Sequence, residues 1–286
     1  MKATLKDITV NIPVLNEEMN ITECIKSIKK SGINKIIVID GGSTDKTIEL
    51  VKKQKVQLIR IKKKGLAFQR GAGIRNTKTK FVALIDADHR TTKKSFKKLL
   101  EDLSTSNYAA VQAILKPKNR KLNYLEKCYQ AITEINVNLI GPKNMIGMPT
   151  LWKTKIIKAN NFDAKFTAGS DDTDLSYRIS KKGYVFGNSS AIIYNIHRTS
   201  LIQYTKKYLW YGKGDAQFVL NHPERALSMF KHQLYNYPIK YSFLSIMKYE
   251  FYPIPFMVAA GHLRFFGMIK EFFNIIFKIK EKIYST

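Results

Sequence analysis

The first half of the chain alternates short β-branched runs with segments of helical period, and this alternation restricts the fold more than any other feature. ITVNIPV (8–14), KIIVID (35–40), VQLIRI (56–61), KFVALID (80–86) and YAAVQAIL (108–115) read as strands. Between them EEMNITECIKSIKKSG (17–32), STDKTIELVKK (43–53) and TKKSFKKLLEDL (92–103) read as helices, with a glycine-containing segment before the fourth strand. Ser43 or Thr44 is the expected N-cap of the second helix, and Asp45 complements its dipole. Such alternation predicts an α/β fold: a mostly parallel sheet flanked by helices on both faces.

Ligands of these sheets lie outside the carboxyl ends of the strands, so the polar residues there are the ones to collect. They are Asn16 and Glu17, then Asp40, then Lys62 to Gly65, then Asp86 and Asp88. Acidic and basic groups on one edge suit a phosphorylated ligand that carries a metal. Asp86-Ala-Asp88 presents two hard oxygen donors, which fit Mg2+ or Mn2+; the same residues also serve as a turn or as the cap of 92–103. A second acidic run, Asp171-Asp172-Thr173-Asp174, opens the helix expected over 171–183. The helix dipole accounts for part of it. Three carboxylates in one turn also repel one another, which can raise one pKa toward that of a general base. In the remaining second half, 119–138 reads as a helix, 151–162 as a helix and a turn, and YVFG (184–187) and AIIYNI (191–196) as strands.

In order and spacing, PVLNEE (13–18), VIDGGSTDKT (38–47), QRGAG (69–73), ALIDAD (83–88) and SDDTDLSYRISKKGY (170–184) resemble the family 2 glycosyltransferases of GT-A fold, over roughly residues 8–214. The nearest flavour is the non-processive, membrane-associated group. The resemblance implies that Pro13, Asn16 and Glu17 line the nucleotide pocket, that Asp40 contacts the base, and that Arg70 lies near the diphosphate. It puts Asp86 against ribose or sugar and makes Asp88 the metal ligand. Asp172 matches the catalytic base, with Asp171 where glutamate is more usual. His197 would complete the metal shell or touch the diphosphate, or is a structural histidine at a strand end. Arg178 and Arg198 are candidate diphosphate or acceptor contacts; His89 and Arg90 carry no assignment. The chain departs from the family in having Arg70-Gly71 where Arg-Asn is common and in lacking a QxxRW motif, which favours addition of single sugars.

The implied chemistry suits these residue types. A nucleoside diphosphate leaves readily once a divalent cation and an Arg or Lys neutralise its developing charge. An acceptor hydroxyl needs a carboxylate to remove its proton as it attacks. One displacement inverts the anomeric centre, with no second carboxylate nucleophile. The expected donor is a UDP- or GDP-linked sugar and the acceptor a hydroxyl on a lipid-linked or glycan molecule. The rival enzyme reading is a polyprenyl-phosphate sugar synthase, whose acceptor is the lipid phosphate.

The formal charge of +27, from 49 Lys and Arg against 22 Asp and Glu, asks for an anionic partner. A basic nucleic-acid-binding module is one alternative and an inactive scaffold another. Against the first, aromatics concentrate in the tail and the sheet edge is acidic, so no nucleic acid is expected. Two domains are expected: a catalytic domain over 1–235 and an amphipathic helical region over 236–286. In 255–285 Phe and Ile runs lie beside Arg264, Lys270, Lys278, Lys280 and Lys282, a composition for a helix lying on an anionic membrane surface or packed on protein. Cys24 and Cys128 offer no disulfide framework, no leader is expected at the N-terminus, and 251–263 is too short to span a bilayer. These features place the chain peripherally on the cytoplasmic side of the cell membrane. Oligomeric state is not specified.

Overall fold

A computed structural model describes residues 3–61, 65–118, 121–248 and 250–284, with side chains through residue 277. Lys62, Lys63, Lys64 and the side chains of Lys278, Lys280 and Lys282 lie outside the described residues. The chain groups into two compact units, 1–120 with 137–167 and 172–197, and 121–136 with 168–171 and 198–286.

The first unit carries β1 (Ile8–Val14), α1 (Ile21–Lys30), β2 (Ile36–Asp40), α2 (Thr47–Lys53), β3 (Gln57–Arg60), α3 (Leu66–Asn76), β4 (Phe81–Leu84), β5 (His89–Arg90), α4 (Ser95–Ser104) and β6 (Ala110–Pro117). After α5 (Tyr124–Asn136), which belongs to the second unit, come β7 (Gly141–Lys143), β8 (Thr150–Lys153), α6 (Thr154–Asn160), α7 (Asp171–Ser180) and β9 (Phe186–Asn195). Among the described residues they form a nine-stranded sheet in the order β3-β2-β1-β4-β8-β6-β9-β5, with β7 also on β9. β3, β2, β1 and β4 are mutually parallel, and β8 enters antiparallel between β4 and β6.

Every residue of β1 and β2 is buried, which explains why both read as unbroken apolar runs rather than alternating ones. α1 turns Ile21, Cys24, Ile25 and Ile28 inward, and α4 does the same with Phe96, Leu99, Leu100 and Leu103. Each fully buried aliphatic side chain in this core contributes about 1.5–3 kcal/mol.

Four elements differ from the sequence-based expectation. The glycine-containing segment is the helix α3, most of it buried, polar residues included, so it shows little polar face by which to read it. TLWK is the strand β8, followed by the short helix α6, and 186–195 is one strand rather than two. α2 starts at Thr47 with no side-chain cap from Ser43 or Thr44; Asp45 Oδ1 accepts from Thr47 N (3.0 Å) and Glu18 Oε2 from Lys46 N (2.9 Å).

The second unit holds α5, α8 (Leu201–Asn221), α9 (Ala226–Lys231), a π-helical stretch over His232–Tyr241, α10 (Ser242–Ile246) and α11 (Ile254–Tyr284). Its core is aromatic: Tyr204, Tyr208, Tyr237, Tyr241 and Phe256 pack with Cys128, Ile132, Ile135 and Met257. Tyr204 meets Phe256 edge-on at 5.2 Å between ring centres. α8 and α11 meet backbone to backbone at Gly212, where an added Cβ would sit 1.9 Å from Arg264 O.

Arg264 is not an interfacial cation, as the composition of the tail suggested. It is buried against Asp215, itself fully buried, with Nη2 2.7 Å from Asp215 Oδ1 and Nε bonded to Oδ2. Ser170 Oγ (2.6 Å) and Gln233 Nε2 (2.8 Å) complete the shell around that carboxylate. His232 lies beside it, its Nε2 3.3 Å from Arg264 Nη1 and its Nδ1 3.4 Å from Asn236 Nδ2. Burial, with the Arg264 cation adding and Asp215 opposing, lowers His232 from its ordinary 6.5 to about 3. The unfolded chain therefore takes up a proton below pH 6.5 that the native site refuses until about 3, so stability falls as pH drops through that interval. Thermal unfolding between pH 7 and pH 4 should show a fall in midpoint that is shallower in His232→Gln.

Candidate active site

The carboxyl ends of β1 and β2 are tied together by one side chain from α3. Gln69 is buried and donates through Nε2 to Val14 O (2.7 Å) and Ile39 O (2.9 Å). A Cβ at Gly41 would stand 2.8 Å from that amide, so the loop after β2 passes close over it. Pro13 pairs in register with Ile39. Asn16 has a left-handed backbone (φ 55°), which asparagine tolerates; its N–H donates to Ser43 Oγ (3.0 Å) and its Oδ1 accepts from Thr44 N (2.8 Å). Glu17 N donates to Thr47 Oγ1 (2.8 Å). Asp40 is buried and accepts from Gly42 N and Ser43 N, both at 3.1 Å, so its carboxylate shapes the loop that borders the edge. Pro13, Asn16, Glu17 and Asp40 thus build one braced wall.

The turn after β4 supplies the opposite charge pattern. Arg70, reaching from α3, lies over the Phe162 ring and places Nη2 3.1 Å from Asp86 Oδ1. Asp86 N donates to His89 Nδ1 (3.1 Å), and His89 N donates back to Asp86 O (3.0 Å). Asp88 O accepts from Ile196 N (3.0 Å), which ties the turn to the chain just after β9. Cys24 lies behind the turn with Sγ 3.6 Å from Asp86 O. Burial above all, with the nearby carboxylates adding, pushes its thiol well above the ordinary range and leaves it unreactive.

Donor atoms of Asp86, Asp88 and His89 all lie within 4.8 Å of one another. Asp88 Oδ1 is buried and has no hydrogen-bond partner among the described residues, a costly arrangement that a divalent cation would relieve. The residues therefore fit such an ion. His89 plays a different part from the carboxylates. Its Nδ1 accepts the Asp86 amide, so the neutral ring carries its proton on Nε2, 3.8 Å from Asp88 Oδ1. Nε2 approaches Asp88 without reaching hydrogen-bond distance. His197 is buried two residues past β9 and is not in this cluster.

Asp172 lies in the first turn of α7, and a Cβ at Gly147 would sit 3.2 Å from its Oδ2. A side chain at 147 would crowd that carboxylate unless it shifted by a few tenths of an ångström. Gly147 is held by its N–H to Gln112 Oε1 (3.3 Å), and Ser176 Oγ donates to Ile146 O (3.2 Å). Asp171 is buried at the start of the helix, and Asp174 pairs with Arg178 Nε (2.8 Å). Arg178 further donates to Asn160 O (2.8 Å) and Asn161 O (2.7 Å), so its guanidinium caps α6. Arg198 is exposed. Sequence reasoning passed over Gln69, His89 and Gly147. The only signal was an amide inside an apolar helix, a histidine next to two acids, and a glycine in a loop.

A parallel-sheet edge with an Asp-x-Asp turn and a buried arginine is the architecture of nucleotide-sugar-dependent transferases. The profile described as glycosyl transferase family 2 matches residues 9–170. The chain belongs to glycosyltransferase family 2, and its fold is GT-A. A protein of Methanocaldococcus jannaschii is 35% identical over 122 residues, 41% of this chain and 50% of that protein. A glycosyltransferase of Rickettsia conorii is 28% identical over 195 residues, 65% of this chain. The chain spans 32% of the Rickettsia protein's length. The mannosyltransferase PcManGT of Pyrobaculum calidifontis, solved with GDP-Man and Mn2+, superposes with a TM-score of 0.69 at 14% identity, over 94% of this chain and 87% of its own.

Proposed function

We propose that this glycosyltransferase moves a single sugar from a UDP- or GDP-linked donor to a hydroxyl of a lipid-linked or glycan acceptor, with inversion. The observation that carries the reading is the unpartnered Asp88 Oδ1, buried in a turn whose other acid is paired with Arg70. Asp88 and Asp86 would hold Mn2+ or Mg2+, which when bound neutralises the diphosphate. Arg70 orients Asp86 and adds positive charge at the leaving-group side. Asp172, with Gly147 giving it room, takes the proton from the attacking hydroxyl. The GDP-Man and Mn2+ of the Pyrobaculum enzyme support the donor and metal classes.

Residues 1–235 are the proposed catalytic domain, and 236–286 the region that meets an anionic membrane on its cytoplasmic side. Among the described residues no helix is long and apolar enough to cross a membrane. Phe266, Lys270, Phe273 and Phe277 recur at helical spacing on α11 and are exposed, which supports a peripheral contact. The same stripe favours a second reading, a polyprenyl-phosphate acceptor.

Asp172→Asn separates the two. A hydroxyl acceptor needs the base, so turnover should fall by about 10²–10⁴-fold. A phosphate acceptor is already ionised, and its glycosylation would survive. The check is a nucleotide-sugar panel with Mn2+, read as product on a hydroxyl acceptor and on a polyprenyl phosphate. Stabilisation of the protein by none of the nucleotides would sink both readings.

A further inference from the structure

The first unit has a groove of about 320 Å³ that the transfer chemistry does not use. One wall is the outer face of α1, where Glu23, Lys26 and Lys30 recur at three- and four-residue steps. The facing wall brings Lys118, just past β6, and Tyr194 of β9. Arg90 lies between the two walls. Four cationic side chains against Glu23 leave a surplus of three positive charges.

The pairing of these charges is uneven. Glu23 and Lys26 form an exposed ion pair (3.0 Å). Lys30 and Lys118 have no ion pair among the described residues, and both are exposed. Arg90 is only 6% exposed, yet among the described residues its guanidinium hydrogen-bonds to neutral oxygens alone: Ala87 O (2.8 Å), His89 O (2.9 Å) and Asn20 Oδ1 (3.4 Å). Its Nε is buried without a partner. A buried cation with no directly bonded counter-charge among the described residues is expensive, and an anion in the groove would offset that cost. The Glu23 carboxyl already registers the field. It is held below its ordinary value chiefly by the hydrogen bond from Lys26, with Arg90 and Lys30 adding to the effect.

We propose that this groove is a second anion site, separate from the Asp86–Asp88 edge, that takes a phosphate or diphosphate group. Dispersed point charges and a phenol suit a multiply charged tetrahedral group, which accepts in several directions, better than a carboxylate, which accepts from two oxygens in one plane. Arg90 also holds the carbonyls on either side of Asp88. Phosphate in the groove therefore stiffens the turn that carries the metal donors, an effect that rests on the role proposed for Asp88. The phosphate can come free in solution or on a lipid headgroup.

The test uses the full chain and the double variant Lys30→Glu/Lys118→Glu, two exposed positions outside the catalytic edge, with Lys30→Gln/Lys118→Gln as the milder pair. Inorganic pyrophosphate is titrated by calorimetry in EDTA, with Asp88→Ala alongside. Wild type and Asp88→Ala should bind equally, and the charge-reversed variant at least about tenfold more weakly, with the glutamine pair between. Phosphatidylcholine vesicles with and without phosphatidic acid decide the source. Flotation that depends on phosphatidic acid and is lost in the variant assigns a headgroup; equal flotation with weakened pyrophosphate binding assigns a free phosphate. Equal pyrophosphate affinity in wild type and the charge-reversed variant, or binding in neither arm, overturns the site. Stabilisation by nucleotide with Mn2+ should be unchanged in the variant, and its loss in wild type would strike the transferase reading while leaving the groove untouched.

Discussion

Asp215→Ala should cost about 3–5 kcal/mol of stability, because it leaves the Arg264 guanidinium buried with no counter-charge. The substitution also frees Ser170 Oγ and Gln233 Nε2, both bonded to that carboxylate. The loss comes mainly from stranding a cation, not from the strength of the pair. Removing both charges should therefore recover most of it, and Asp215→Leu/Arg264→Met is the variant to compare. Chemical denaturation of the three proteins provides the comparison. A cost below about 1 kcal/mol for Asp215→Ala would mean that water or another group already compensates Arg264.

Asp88→Ala should abolish measurable transfer while leaving the fold intact, with an expected loss of about 10³-fold or more if the carboxylate holds the cation that neutralises the leaving group. Among the described residues its Oδ1 has no hydrogen-bond partner, so deletion removes a buried unsatisfied acceptor and should not destabilise the chain. Activity and stability thus move in opposite senses. The measurements are turnover with a saturating donor, and thermal midpoint with and without Mn2+. Wild type should gain stability from nucleotide plus Mn2+, and the variant should lose that gain. Retained turnover in Asp88→Ala would remove it from the metal site. His89→Gln, which keeps a donor near Nε2, should fall between the two.

How far the sequence could be read depended on where each residue's partners lie. β1, β2 and β4 were legible because strands buried on both faces must be β-branched and apolar throughout. α1 and α4 were legible because each buries one stripe. α3 was not, since Gln69, Arg70, Gly71 and Gly73 are all buried and a helix that buries polar residues with apolar ones shows little period to detect. β9 looked like two strands because GNSS interrupts it, and those polar residues are satisfied from elsewhere. Asn188 Nδ2 donates to Leu139 O (2.6 Å), and Ser189 Oγ to Asp102 Oδ2 (2.5 Å). The Asp86-Ala-Asp88 turn was legible as a motif. The commitment of Arg178 to Asn160 O and Asn161 O, and of Arg264 to Asp215, depends on contacts distant in sequence that no local pattern encodes.

The strand beside the Asp-x-Asp turn also sets the order in which the site can assemble. Among the described residues β5 pairs only with β9, His89 against Asn195 and Arg90 against Tyr194, and Ile196 N closes on Asp88 O. On a ribosome the motif emerges long before the chain that immobilises it. Through that interval the nascent chain carries two acids on an unpaired loop, next to parallel strands that can already zip together. Non-local closure of this kind is slow. If the motif holds a cation as proposed, the rate-limiting event in gaining that affinity should be the docking of β9, and a nascent chain stalled before residue 186 would hold the whole Asp-x-Asp motif yet bind cation weakly.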